Sequence, residues 1–283
     1  MFLRARAYPR FWRLVAAVLV AVSRTGVLVL AGVLMGFPDA RLDNPLRLLR
    51  AFVALSLAPG LAAWLLARVF TAAVTIADGL LVVSRRDRRI EVPLAALAGV
   101  APWRVPLPGN GLALVLRSGR RAPVDLQLGD VNGLVEALAA AGASAAVRDR
   151  MRTPAAVYQS SRRDDRRRWW HPLLSYGVLA LVPTLPVFRL NQWIVYGGTF
   201  GEYYTYGLRA YLFGFIAYWW TFTIYLVLWA GVLRAGAEAV VMATAWAAPA
   251  RVPAVRRAVE VIDRIAYYGG VPLFLLRVAV LAS

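Results

Sequence analysis

The chain has 283 residues, among which there is no cysteine, no lysine and a single histidine, His171. The absence of cysteine excludes a disulfide, a thiolate nucleophile and a cysteine-ligated metal. A metal site would have to consist almost entirely of carboxylates, and a hydrolase triad would depend on His171. That histidine precedes Pro172 and follows two tryptophans, which is typical of a residue at a membrane interface. We therefore predict a protein that is not an enzyme, with no catalytic residues, metal or cofactor.

Hydrophobic residues are abundant, at 60% of the chain, and the mean hydropathy is +0.58. A soluble domain is usually about 45–50% apolar. The excess lies in runs at 14–37, 51–70, 173–188 and 208–233. Crossing a bilayer takes about 20 mostly apolar residues, so the pattern predicts a multi-pass membrane protein with four transmembrane helices. The run 267–281 either crosses as a fifth or lies flat at the interface, and we favour crossing.

The net charge of +18 comes entirely from arginine on the basic side. Membrane proteins collect positive charge in their cytoplasmic loops, so this balance does not indicate a nucleic-acid partner. The segment 71–168 holds 16 arginines and the segment 1–13 holds 4, against 3 in 38–50. We therefore predict that the N-terminus and 71–168 are cytoplasmic, in a bacterial inner membrane. A cleaved signal peptide is the alternative for the first run, although that run continues to anchor length.

One long stretch, 71–142, does not follow the membrane pattern. Asp78-Gly79 is a strong signal for a tight hairpin between two apolar runs. Asp130 can cap a helix from Val131 to Ala141, and Gly142 fits its end. The strands that the alternation predicts are 74–77, 80–83, 90–92, 100–105, 112–116 and 122–128.

The stretches TIADGLLVVSRRDRRIEVPLAAL, GLALVLRSGRR and DVNGLVEALAAAG resemble a bacterial pleckstrin-homology-like domain. The resemblance covers only 71–142 and implies a curved, seven-stranded antiparallel sheet closed by a C-terminal helix; we count six strands. Two transmembrane spans ahead of such a domain are also familiar in that family. The predicted fold class is an α+β membrane protein with this small β domain inserted among transmembrane helices. Its divisions are 1–70 with two spans, the domain 71–142, a basic linker 143–170, and a C-terminal membrane domain 171–283.

Two arginine clusters lie next to predicted spans and are candidates for contact with lipid headgroups. Tryptophans settle at headgroup depth, and arginines there attract anionic lipid. The alternatives are a solvated hairpin end for the first cluster and ordinary cytoplasmic-loop charge for the second. The candidate residues are Arg85, Arg86, Arg88 and Arg89 in one turn, and Arg162, Arg163, Arg166, Arg167, Arg168, Trp169 and Trp170 before the third span.

Ionisable residues within or near the spans form a second candidate set, because such residues are costly in a membrane and often functional. Arg24 lies roughly 15 Å along the helix from Leu14, near mid-bilayer. It either extends to the interface or meets a polar partner inside the bundle. The full set is Arg24, Glu202, Arg209, Arg234 and Glu238. We expect Glu202 to pair with Arg209, and Arg234 with Glu238 at a spacing of four residues on one helix.

These observations favour a non-enzymatic membrane protein whose cytoplasmic domain is a scaffold for a protein partner or for self-assembly. Anionic lipids of the cytoplasmic leaflet are the second expected partner. An alternative is a transporter or channel subunit, supported by Arg24 and by expected kinks at Pro59-Gly60 and at Pro183 and Pro186. A weaker alternative is a lipid-modifying enzyme that uses Glu202 or a tyrosine of the predicted periplasmic loop 189–207.

Overall fold

The computed structural model describes residues 2–36, 44–86, 88–143, 153–162 and 170–282, which form an α+β structure. The chain divides into two compact units, one made of residues 1–23, 58–165 and 238–258 and the other of 24–57, 166–237 and 259–283. The helices are α1 (Arg10–Gly36), α2 (Pro45–Val69), α3 (Val131–Ala140), α4 (Pro154–Ser161), α5 (Trp170–Tyr196), α6 (Gly201–Tyr206), α7 (Leu208–Ala247) and α8 (Val252–Ala282).

Among the described residues, four helices are long and apolar enough to cross a membrane, namely α1, α2, α5 and α7. These helices confirm the prediction of a protein with several membrane-length helices. The four apolar runs therefore mark real helices, although each helix extends beyond the run that indicated it.

The first unit contains an antiparallel sheet of seven strands in the order β4-β3-β2-β1-β7-β6-β5. The six strands predicted from alternation are all present, with ends shifted by a few residues. Asp78 and Gly79 have φ values of 52° and 72°, as the tight turn between β2 and β3 requires. The strands are β1 (Phe2–Pro9), β2 (Thr71–Ala77), β3 (Leu80–Arg85), β4 (Arg89–Pro93), β5 (Leu97–Pro102), β6 (Gly111–Leu116) and β7 (Arg121–Leu128).

The seventh strand, β1, comes from the N-terminus and occupies the centre of the sheet. Ala5 pairs with Ala72 on β2 and with Leu128 on β7. The domain therefore draws on residues outside 71–142, which sequence analysis read only as a basic segment before the first span. A period-two signal is present, since Ala5 and Ala7 are buried while Arg4 and Arg6 are exposed. The four arginines of segment 1–13 favoured its interpretation as a basic segment, so the alternation was not recognised as a strand.

Helices α1 and α2 are inserted between β1 and β2. Arg6 lies opposite Thr71 in the register, and the backbone N–H of Ala7 donates to the carbonyl of Phe70 at 2.9 Å. The rings of Tyr8 and Phe70 pack with centroids 5.3 Å apart. Because α1 begins at Arg10 and α2 ends at Val69, both helices meet the same end of the sheet.

Helix α3 covers one face of the sheet, as its apolar spacing predicts. Leu134, Val135 and Leu138 are buried with strand residues such as Leu112 and Leu126 in one continuous core. The carboxylate of Asp130 accepts a hydrogen bond from the N–H of Gly133 at 3.0 Å, which caps the first turn. The predicted helix, its cap and its end near Gly142 are confirmed.

The second unit is built from the packing of long helices. Leu30 and Ala31 of α1 are buried with Leu48 of α2 and with Ile224 and Leu228 of α7. At Gly26 the backbone of α1 approaches the carbonyl of Leu55 so closely that a Cβ would overlap it. Small residues permit such close approach between membrane helices, which pack without a hydrophobic driving force.

Several predicted boundaries are wrong. Helix α2 begins at Pro45, capped by Asn44, rather than at 51, so half of the predicted loop 38–50 is helical. Most of the predicted loop 189–207 is also helical, because α5 continues to Tyr196 and α6 follows. The prediction started the second span after Arg50 and ended the third before Arg189, whereas both helices continue past these charges. Helix α7 continues past Arg234 to Ala247, so Arg234 and Glu238 lie on one helix, as their spacing predicts.

Altered helix geometry accompanies one of the two predicted kinks. The π-helical segment Val53–Leu57 of α2 contains the residue four before Pro59, whereas the π-helical segment Leu173–Val178 of α5 directly follows Pro172 and ends before the regular helix that contains Pro183 and Pro186. Proline has no N–H to donate to the carbonyl four residues earlier, so the helix must rearrange near it.

The linker 143–170 also contains a helix that sequence analysis did not name. The side chain of Thr153 accepts from the N–H of Ala156, and Pro154 occupies the first helical position of α4. A threonine cap followed by proline is a known helix start, so this signal was available in the sequence.

The central position of β1 gives a direct test. Replacing Ala5 with Asp places a carboxylate in the sheet core, and we expect a loss of several kcal/mol in unfolding free energy. Arg4→Asp is the matched control on the exposed side of the same strand and should change stability by about 0.5 kcal/mol or less. Thermal unfolding in mild detergent, followed by tryptophan fluorescence, measures both. Equal effects of the two variants would contradict the strand assignment.

Candidate functional site

The arginine turn between β3 and β4 lies at the end of the sheet that the membrane-length helices join. Arg85 pairs in register with Ala72, three residues after α2 ends. Its guanidinium lies over the ring of Phe70, 5.3 Å from the centroid. Arg86 and Arg88 are exposed, and Arg89 forms an exposed ion pair with Glu91 at 2.7 Å. Sequence reasoning singled out this turn but could not give its position in the sheet.

A second arginine turn, between β6 and β7, lies at the same end. Pro9 at the end of β1 pairs with Val124, three residues after β7 begins. Arg10, Gly119, Arg120 and Arg121 line an open cavity of about 540 Å³. Together the two turns form a surface that we call the basic rim: Arg10, Arg85, Arg86, Arg88, Arg89, Arg120 and Arg121. The sequence predicts a turn here, but its arginines were not among the candidate residues, because their position beside the start of α1 depends on the pairing of β7 with β1.

A partly buried ion pair ties the first helix to the sheet near this rim. Arg13 of α1 donates to the carboxylate of Asp125 on β7 at 2.9 Å and also lies over the ring of Trp103, 4.9 Å from its centroid. Burial raises the pKa of Asp125 above its ordinary value, and the positive charges of Arg13, Arg10 and Arg121 oppose that rise. The pair therefore fixes where α1 leaves the sheet.

Helix α4 is attached to the sheet through Gln159, which is 2% exposed. Its amide donates to the carbonyl of Trp103 at 2.7 Å, and its side-chain oxygen accepts from the N–H of Gly111 at 2.9 Å. The side chain of Asn110 donates to the carbonyls of Gln159 and Arg162, at 3.0 and 2.8 Å. These four hydrogen bonds hold α4 against the sheet.

The other side of α4 joins a charged cluster around Glu238, which we call the Glu238 cluster: Tyr158, Ser161, Arg162, Glu238 and Arg256. Arg256 of α8 donates to both carboxylate oxygens of Glu238 at 3.1 Å. The hydroxyl of Tyr158 donates to the same carboxylate at 2.6 Å, and Arg162 lies 3.6 Å from it. A bidentate arginine pair of this kind is strong and fixes geometry.

The Glu238 cluster is largely shielded from solvent. The side chains of Arg256, Arg162 and Glu238 are 11%, 17% and 18% exposed. Burial and, next in size, the hydrogen bond to Glu238 together raise the pKa of Tyr158 to about 12. Burying two arginines and a carboxylate costs desolvation free energy unless the charges are paired. The cluster therefore holds α4, the end of α7 and the start of α8 in one arrangement within the first unit.

The remaining predicted residues are dispersed. Arg24, Arg209 and Arg234 are exposed on their helices. The carboxylate of Glu202 accepts from the amide of Gln192 at 2.7 Å instead of pairing with Arg209, so that expected pair is not formed. Glu238 was predicted to pair with Arg234, and the partners that the structure gives it are Tyr158, Arg162 and Arg256 from other elements.

The arginine run before the third span falls mostly outside the described residues. This applies to Arg163, Arg166, Arg167, Arg168 and Trp169. At the start of α5, Trp170 stacks on His171 with ring centroids 6.2 Å apart, and His171 Nδ1 lies 3.2 Å from the hydroxyl of Ser175. In the described ranges, no group of three or more His, Asp or Glu residues is arranged to hold a metal ion.

No protein-family model, curated protein or solved structure matches this chain.

Glu238→Gln tests the charge balance of the cluster. The substitution leaves Arg256 buried opposite a neutral amide, and breaking a buried pair typically costs about 3–5 kcal/mol of unfolding free energy. Glu91→Gln is the matched control, because it removes an exposed pair with Arg89 and should cost about 1 kcal/mol or less. Thermal unfolding in detergent distinguishes the two. A small effect of Glu238→Gln would show that the cluster does not hold these helices.

Tyr158 gives a prediction with a defined pH window. Because its folded pKa is raised above the unfolded value near 10, the tyrosine contributes stability that is complete below pH 10 and is lost as pH rises toward 12. A difference of about two pKa units corresponds to about 3 kcal/mol. We expect the stability difference between the natural protein and Tyr158→Phe to shrink by this order from pH 9 to pH 12. A constant difference would mean that the phenol titrates normally.

Proposed function

We propose that this chain is a multi-pass membrane protein whose sheet is a rigid platform at the membrane surface, serving as a scaffold for a protein partner or for self-assembly. The observation that carries the proposal is the continuity of the central strand with the first membrane-length helix. β1 runs into α1 at Arg10, and only Phe70 separates the end of α2 from Thr71 at the start of β2. A sheet joined in this way has no flexible tether.

Three further contacts support a fixed platform. Asp125 holds Arg13 at the start of α1, Gln159 attaches α4 to the sheet, and the Glu238 cluster connects α4 to the end of α7 and the start of α8. A domain joined to the membrane helices by a flexible linker would not need such buried polar contacts. Burying each polar group costs desolvation free energy unless the group has a hydrogen-bond partner. A rigid surface reduces the ordering cost of binding a partner.

The lipid part of the proposal rests on the basic rim. Its arginines surround the points where α1 begins and α2 ends, so membrane insertion of these helices brings the rim to the headgroup layer. Anionic headgroups attract arginine by about 1 kcal/mol per residue near the surface. The proposed orientation is with the sheet on the cytoplasmic side of a bacterial inner membrane, where the excess of arginine belongs.

A crosslinking experiment tests the scaffold. β4 is an outer strand of the sheet, and Glu91 on it is exposed. We expect a photo-crosslinking residue at Glu91 to capture a distinct protein or a second copy of the chain in native membranes. The same residue at exposed Thr205 of α6 is the control and should not capture that species. Adducts to lipid alone, together with a monomer in native mass spectrometry, would refute the scaffold.

A charge-reversal pair tests the rim. Arg86→Glu with Arg120→Glu takes one arginine from each turn, and we expect anionic lipid affinity to fall by about tenfold or more. Arg104→Glu with Arg257→Glu is the control, since both residues are exposed and neither belongs to the rim. Lipid retained in native mass spectrometry, with and without added salt, is the measurement. Equal losses in the two double variants would remove the rim from lipid binding.

A second candidate function is a transporter or channel subunit. It is favoured by the two π-helical segments before Pro59 and Pro183, since interrupted helices often mark transport sites in membrane proteins. Flux assays on reconstituted protein discriminate between the two functions. A substrate flux abolished by Arg24→Leu, with folding retained, would favour the transporter over the scaffold.

A further inference from the structure

Helix α8 is apolar on two opposite faces over much of its length. From Ile265 to Ala282 the sequence has one charged residue, Arg277. On one face Tyr267 and Val271 are buried in a cluster with residues of α5 and α7. A helix that is apolar all round is normally buried in a protein core or in a membrane.

The other face carries an exposed apolar stripe. Ile262, Ile265, Leu273 and Leu276 are 61%, 68%, 68% and 62% exposed. At 100° per residue these four positions fall within an arc of about 80°, so they form one continuous strip along the helix. An apolar strip of this size is unfavourable in contact with water. We therefore expect it to be covered by an apolar surface.

Two contacts fix where α8 lies along the membrane-length helices of the second unit. The indole N–H of Trp229 on α7 donates to the carbonyl of Ala266 at 3.3 Å. The hydroxyl of Tyr267 donates to the carbonyl of Ser175 on α5 at 2.6 Å. Ala266 and Tyr267 therefore lie at the level of residues inside two membrane-length helices.

The part of α8 that follows Ala266 is nearly long enough to reach the level at which α7 begins. α7 extends about 32 Å from Leu208 to Trp229, and α8 extends about 24 Å from Ala266 to Ala282. Only the short turn Pro249–Arg251 separates the end of α7 from the start of α8. α8 therefore starts from the side where α7 ends and continues, past Ala266, toward the other side.

We propose that α8 crosses the bilayer as a fifth transmembrane helix, with its exposed stripe against lipid acyl chains. Acyl chains are the occupant because the opposite face of the same segment packs on α5 and α7, whose own outer surfaces are apolar. The proposal does not depend on the scaffold function, since it concerns only the packing of the second unit. It places Ala282 on the same side of the membrane as α6.

The absence of cysteine makes a labelling test simple. Ala282→Cys is compared with Thr205→Cys in α6 and with Ser118→Cys in the β6–β7 turn, which mark the two sides. A membrane-impermeant maleimide is applied to sealed vesicles of known orientation. We expect Ala282→Cys to react from the side that labels Thr205→Cys. Reaction from the side that labels Ser118→Cys, or from neither side, overturns the crossing.

A second measurement tests the stripe itself. A spin label on Leu273→Cys should be reached more readily by oxygen, which concentrates in acyl chains, than by a water-soluble nickel chelate. The same label on Arg257→Cys, near the start of α8, should show the opposite preference. If the label at 273 prefers the nickel chelate, the stripe faces water and the proposal fails.

Discussion

The pairing of β1 between β2 and β7 is the constraint on which the rest of the first unit depends. An antiparallel partner for β2 must run back toward the point where β2 starts, so the end of β1 meets the end of α2. Two membrane-length helices can then be inserted without separating the strands. If both cross the membrane, the sheet and the N-terminal strand necessarily lie on one side of it.

This arrangement also decides which turns face the membrane-length helices. In an antiparallel sheet the turns alternate between two ends, and the β3–β4 and β6–β7 turns fall at the end where α1 begins. Both turns are rich in arginine. Arg104, by contrast, follows β5 at the opposite end of the sheet, as the pairing of Pro102 with Leu112 requires. The basic rim is thus a product of strand register rather than of arginine content.

The Glu238 cluster holds one side of α4, whose other side is bound to the sheet. Gln159 faces the sheet and Tyr158 faces Glu238, so neighbouring residues of α4 serve two interfaces. The carboxylate of Glu238 receives hydrogen bonds from Arg256 and Tyr158, and Arg162 lies 3.6 Å away, so one negative charge lies beside two positive ones. Removing Glu238 would leave both arginines without their carboxylate, which is why the cluster holds its elements together.

Sequence alone determined the membrane-length helices, six strands, the hairpin at Asp78-Gly79 and the capped helix α3, because each depends on local spacing, turn residues or a run of apolar side chains. It also identified Glu238 and the Arg85–Arg89 turn as charged features of interest. Only the tertiary structure decided that β1 is the central strand, that Arg10 and Arg120 share a cavity, and that Tyr158, Arg162 and Arg256 meet at Glu238. These contacts join residues far apart in the chain, and local periodicity carries no information about which distant segments will pair.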